Sequence, residues 1–193
     1  MKVLIDNGHG ENTSGKRSPD GKLREYAYCR EIADRVVVEL RKQGIEAERI
    51  VKEEIDVPLS ERCRRANELY HDAGRQVVLV SIHCNAAGSG KEWMDAHGWS
   101  VFVSNNASYN SRKLASCLAQ AADKIGVTVR RPAPGQDFWV QNLAICRDTL
   151  CPAVLVENFF QDNREDVDFL LSEEGKKCVT GIMVEGIINY IGV

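Results

Sequence analysis

Two kinds of apolar pattern alternate along the chain. One is the short, nearly unbroken run: Lys2 to Asp6, Val77-Val78-Leu79-Val80-Ser81-Ile82, Trp99 to Val103 and Pro152-Ala153-Val154-Leu155-Val156. Such runs predict strands buried on both faces, and a further strand is expected near Ile45 to Val51. The other pattern is a stripe repeating every three or four residues. Tyr28, Ile32, Val36 and Leu40 mark a helix from about Arg24 to Lys42, with Gly44 as its stop signal. Leu59, Cys63, Ala66 and Leu69 mark a helix whose first turn holds Pro58. Leu114, Leu118, Ala121, Ala122 and Ile125 line a third, and Val179, Ile182, Met183, Gly186, Ile187 and Tyr190 face a closing one. Asp162 with Glu165 has the spacing of a capping box for a short helix. Val127 to Gln141, with Pro132, Pro134 and Gly135, reads as a long surface loop. Strands alternating with helices predict one α/β domain over residues 1–193. Its expected core is a mostly parallel, twisted central sheet of about six strands, with helices on both faces.

Composition narrows the partners. The 193 residues suffice for one domain, burying roughly 70% of the surface its unfolded chain would expose. The formal charge of −3, with no cluster of Lys and Arg, gives no reason to expect nucleic-acid binding. No apolar run has the length of a membrane span. Met1-Lys2 leads straight into a core strand, so no signal peptide is expected. Seven scattered cysteines without a C-x-x-C pair read as reduced, mostly buried thiols rather than a structural zinc site.

Candidate chemistry gathers at the ends of strands. His9, between Gly8 and Gly10, follows the first strand; His83 follows the Val77–Ile82 run; Glu157 follows Pro152–Val156. In parallel sheets all three share one edge, the edge where sites form. Glu25 lies in the first turn of the first helix, three residues before Tyr28 and seven before Ile32, on the core-facing stripe. A carboxylate aimed inward needs a cation or donors to offset its desolvation. His9, Glu25 and His83 form a His₂Glu set, a ligand set of catalytic zinc with a fourth position open for water. Zinc would lower the pKa of that water toward ~7 and polarise a bound carbonyl, and a glutamate would move its proton to the leaving nitrogen. Spacing alone does not fix which glutamate binds and which acts as base; the helix start suits Glu25 as ligand, and the strand end suits Glu157 as base.

Other motifs carry less. Gly10 to Lys16 nearly spells a phosphate loop, but Arg17 stands where Ser or Thr should hold magnesium, and Ser18-Pro19-Asp20-Gly21 is a turn where a helix should begin. Cys84 beside His83 would point to the opposite strand face, which argues against a thiol nucleophile. His71 and His97 are expected on the surface. Trp93, Trp99 and Trp139 are candidates either for a saccharide cleft rim or for the core.

Taken in order, the motifs resemble those of the zinc-dependent N-acetylmuramoyl-L-alanine amidases of the Amidase_3 type, nearly end to end. Ile5-Asp6-Asn7-Gly8-His9-Gly10 resembles the D-P-G-H-G opening, with Asn7 in place of proline. Glu25 resembles the helix-one glutamate, and Pro58-Leu59-Ser60-Glu61-Arg62 through Ala66-Asn67 resembles S-L-x-E-R…A-N. Ser81 to Ala86 resembles S-I-H-A-N-A, with Cys84 replacing alanine. Pro152 to Asn163 resembles P-A-V-L-V-E-x-G-F-x-S-N, with Phe159 replacing glycine. The resemblance implies zinc on His9, Glu25 and His83, catalysis by Glu157, and hydrolysis of the amide joining N-acetylmuramic acid to L-alanine in peptidoglycan. Short connections imply an accessible site without a blocking helix. A zinc peptidase cutting within the stem peptide is the alternative, and a non-catalytic wall-binding module or a nucleotide hydrolase stands further off. A monomer is expected. It would be made in the cytoplasm and released onto the wall like an endolysin, or be a catalytic domain excised from a secreted enzyme.

Overall fold

The computed structural model describes residues 1–192. In chain order the elements are β1 (Lys2–Asn7), α1 (Glu25–Lys42), β2 (Glu46–Arg49), α2 (Leu59–Asp72), β3 (Val77–Asn85), β4 (Ser100–Val103), α3 (Tyr109–Ile125), β5 (Trp139–Val140), α4 (Ala144–Arg147), β6 (Ala153–Phe160), α5 (Arg164–Leu171) and α6 (Glu173–Ile191). The strands make one sheet in the order β2-β1-β3-β6-β4-β5. β2, β1, β3 and β6 run parallel, and β4 is antiparallel to β6. The expected α/β domain with a mostly parallel six-stranded sheet is the fold observed.

Alternate residues of each central strand enter two separate cores. Val78, Val80 and Ile82 of β3 and Val154 and Val156 of β6 pack with α1, α3 and α6. Val77, Leu79, Ala153 and Leu155 pack on the other face with Cys63 and Ala66 of α2 and Ile145 of α4. Helix starts are fixed locally. The Ser108 and Ser172 hydroxyls accept the N–H groups of Ser111 and Gly175 at the starts of α3 and α6.

Several sequence expectations change. Strands β3 and β6 do not stop at Ile82 and Val156: ladder pairing runs on to Asn85 and Phe160, so His83 and Glu157 lie within strands, directly paired. The surface loop expected over Val127–Gln141 contains β5, which pairs with β4, and Val129 bridges to Trp99. The helix after Asp162 is capped by Asn163, whose side chain accepts the Asp166 N–H. Asp162 is fully buried and accepts instead from the Ala87 and Gly88 N–H groups, tying down the loop after β3. Leu59 and Ile125 belong to their predicted stripes but are exposed, each lying at a helix terminus where the buried face runs out. Pro58 precedes α2 as its cap rather than lying in its first turn.

Candidate active site

Just past the end of β1, His9 has φ 60°, in the left-handed region that disfavours a side chain. Its neighbours explain why the chain turns so tightly. A Cβ on Gly8 would lie 2.4 Å from His83 Cε1, and one on Gly10 would lie 1.9 Å from the Asp56 nitrogen. Only glycine allows the turn to approach both walls. Two buried arginines hold the strained residue. The Arg30 guanidinium donates to the His9 carbonyl at 3.1 Å, and that of Arg62 donates to the same oxygen at 3.2 Å. Arg62 also donates to the carbonyls of Val57 and Asn7 and to the carboxylates of Asp6 and Asp56, all at 2.7–2.9 Å. Its five N–H donors are thus all engaged. Asp6 in turn accepts the Ser81 hydroxyl at 2.5 Å, linking β1, β3 and α2 beneath the turn.

Glu25 opens α1 and is fully buried. Its Oε1 lies 3.4 Å from His9 Nε2 and 3.2 Å from His83 Nδ1, and accepts the Cys84 N–H at 3.0 Å. The two imidazoles stand edge to face, with centroids 4.9 Å apart. Burial pushes the Glu25 carboxyl up, but the hydrogen bonds and charge of His83 and His9 outweigh it and hold the group well below the usual carboxylate range. Burial likewise lowers the His83 imidazole, and Glu25 reverses this, so its net shift is upward.

These residues fit a zinc ion. Ligand atoms of His9, Glu25 and His83 all lie within 4.8 Å of one another. Tetrahedral donors about 2.1 Å from zinc stand roughly 3.4 Å apart, which matches the two histidine–carboxylate separations. The second oxygen of Glu25, Oε2, is buried without a hydrogen-bond partner, its nearest cation being the Lys16 ammonium at 4.0 Å, so a closer cation would offset its desolvation. Two neutral imidazole nitrogens and a carboxylate are the donor chemistry zinc takes.

Glu157 pairs with His83 on one side and with Ser100 of β4 on the other, so its side chain shares their sheet face. Its Oε2 is buried and has no hydrogen-bond partner. Desolvation raises its pKa to about 7, against the opposing charge of His83. The carboxyl opens into a cleft of about 400 Å³ that also receives His9, His83, Lys16, Leu59 and Leu143. Both histidine side chains keep partial exposure there, 19% and 17%. With an ion held by these ligands, the free Glu157 carboxyl and an apolar wall of this size would suit hydrolysis of an extended substrate.

The structure therefore gathers all four sequence candidates. The phosphate-loop reading loses its ground, since no helix starts before Glu25 and Gly21 turns the chain with φ 73°. Trp99 is in the core, its indole N–H donating to Asn158 Oδ1, and none of the three tryptophans lines the cleft. Cys84 is buried in the opposite core. His71 and His97 are exposed. In the sequence, Asp6 and Arg62 are legible only as motif residues without a role, and no pattern assigns a site role to Arg30 or Asn158. Arg30 left a trace, a charge on the buried stripe of α1. Asn158, whose amide donates to the His83 carbonyl, left none.

The sequence matches the model of a family described as N-acetylmuramoyl-L-alanine amidase over residues 3–189. Among curated proteins it is 24% identical over 192 residues to the endolysin of Bacillus phage SPP1, and 26% identical over 189 residues to a probable cell wall amidase, LytH, of Staphylococcus saprophyticus. It covers 99% and 97% of its own length in these matches but spans only 66% and 57% of those proteins. Among solved structures it superposes on an N-acetylmuramoyl-L-alanine amidase of Clostridium difficile 630 with TM-score 0.84 and 26% identity, covering 100% of this chain and 97% of that one. The catalytic domain of the amidase CwlV of Paenibacillus polymyxa gives 0.82 at 24% identity, covering 100% and 99%, and shares the fold.

Proposed function

Because the chain belongs to the N-acetylmuramoyl-L-alanine amidase family, we propose that residues 1–193 form one catalytic domain, a zinc-dependent peptidoglycan hydrolase cutting the amide between N-acetylmuramic acid and L-alanine of the stem peptide. The observation that carries the reading is the convergence of His9, Glu25 and His83 beside the unpartnered carboxyl of Glu157. His9, Glu25 and His83 would hold the ion, which when bound supplies Lewis acidity toward the scissile carbonyl and the attacking water. Glu157, whose carboxyl opens into the cleft, takes the proton of that water and returns it to the departing alanine nitrogen. Its burial raises the pKa to about 7, which suits a group that both accepts and returns a proton. Arg30 and Arg62 fix the His9 backbone, and Asn158 fixes that of His83, so both imidazoles face the cleft without reorganisation.

Digestion of purified cell wall tests this. Zinc-loaded protein should bind about one ion per chain and release stem peptides; chelation should abolish release and zinc should restore it. Undiminished release after complete chelation would refute the zinc mechanism. The cell wall is the expected place of action, as the names of the endolysin and wall-amidase relatives suggest.

A further inference from the structure

The cleft holds one permanent cation that the mechanism above does not use. Lys16 lines the same cleft wall as His9, His83 and Glu157, and its side chain is 38% exposed. Its nearest counter-ion is Glu25 Oε2, 4.0 Å from Nζ, at the outer limit of an ion pair. The other cleft guanidinium, Arg62, has every donor engaged and is 2% exposed. Among the described residues Lys16 is thus the cleft cation free to meet an incoming anion. Its backbone is fixed. The Lys16 carbonyl accepts the Glu25 N–H at 3.0 Å, Arg17 bridges to Arg24, and the Ser18 and Leu23 backbones close the hairpin between them. An ion on His9, Glu25 and His83 would meet the Glu25 charge and leave the ammonium without its partner.

Resting on the amidase reading, we infer that Lys16 anchors a substrate carboxylate within about two residues of the scissile amide and so sets substrate preference. In a stem peptide that begins with L-alanine, this group is the free α-carboxylate of the following D-glutamyl residue, which an α-amide would erase. The ammonium tip lies beside the ligand set, 4.0 Å from Glu25 Oε2, and the D-glutamyl α-carboxylate follows the scissile carbonyl by two residues of chain, a reach of roughly 7 Å at most. A hydrogen bond to a charged group at such a site is worth about tenfold or more in kcat/KM.

The test compares N-acetylmuramoyl-L-alanyl-D-glutamate with its α-amide, N-acetylmuramoyl-L-alanyl-D-isoglutamine, as substrates of the zinc-loaded protein. Binding of the released dipeptide and its amide is measured by calorimetry. The free acid should be preferred by about tenfold in both measurements. Lys16→Met should remove the preference while keeping one zinc per chain and the amide's rate; Lys16→Arg should retain the preference. Equal handling of acid and amide by the unaltered protein, or an equal loss on both in Lys16→Met, would show that Lys16 merely screens Glu25 and overturn the subsite. Cleavage of neither substrate, by contrast, would overturn the amidase reading and this subsite with it.

Discussion

Desolvation holds the Glu157 carboxyl near pH 7, some way above its ordinary 4.5, and this has a measurable cost. A carboxyl whose pKa is raised by folding contributes stability that is complete below 4.5 and lost as pH climbs through about 7. Metal-free Glu157→Gln should therefore be more stable than the parent at pH 8.5 by about 1–3 kcal/mol, with the difference vanishing by pH 4. Urea unfolding at the two pH values checks this; equal midpoints at pH 8.5 would deny the desolvation. The same variant should retain zinc yet lose 10²-fold or more in wall hydrolysis, the range for a lost general base. At Arg62 the expected effect is the reverse. Arg62→Lys leaves Asp6 buried without its fork and frees the His9 carbonyl. Stability should fall by about 3–5 kcal/mol and zinc affinity by roughly tenfold or more. Unchanged zinc affinity in a folded Arg62→Lys protein would remove its positioning role.

Between His83 and Asn85 strand β3 has one residue, whereas between Glu157 and Phe160 strand β6 has two. The extra residue is Phe159, with φ 63° and its ring buried edge-on against Phe169. Such a bulge ordinarily places glycine at the left-handed position. Phe159→Gly would relieve strain of about 1–3 kcal/mol but forfeit a buried aromatic worth about 3–5. Net destabilisation of about 1–3 kcal/mol is expected from denaturant melts of the metal-free protein; a gain in stability would mean that the ring contributes less than its burial implies. This element also shows where sequence reading stops. The apolar runs of β1, β3 and β6 and the stripe of α1 were legible because burial on two faces or one leaves a period. The bulge was not, because a phenylalanine in an apolar run carries no sign of positive φ. Strand β5 was hidden because Trp139 and Val140 pair only with β4, after a proline-rich stretch. Asp162 was misread as a cap because its partners, Ala87 and Gly88, are distant in sequence. His9, His83 and Glu157 were legible through their strands, and Glu25 through its place on a buried face. Arg62 was legible only as a motif residue without a role, because its acceptors are mostly carbonyls of other segments, which no spacing encodes.

Across the whole molecule, the proposed ligands His9, Glu25 and His83 come from a loop, a helix start and a central strand that meet only in the folded chain. Zinc should therefore stabilise the protein by linkage, by about 3 kcal/mol at a hundredfold excess over its dissociation constant. For a chain of this size that corresponds to roughly 5–10 °C in thermal midpoint. His83→Ala and Glu25→Ala should abolish the rise, whereas a rise that persists in both would place the ion elsewhere. The central claim, that these residues cut the muramoyl–alanine amide, is tested most directly by mass spectrometry of purified peptidoglycan digested with the zinc-loaded protein. It predicts intact sugar chains bearing free lactyl carboxyl groups, together with peptides that begin at L-alanine. Sugars that keep L-alanine, with new amino termini inside the stem peptide, would contradict it and make the protein a peptidase.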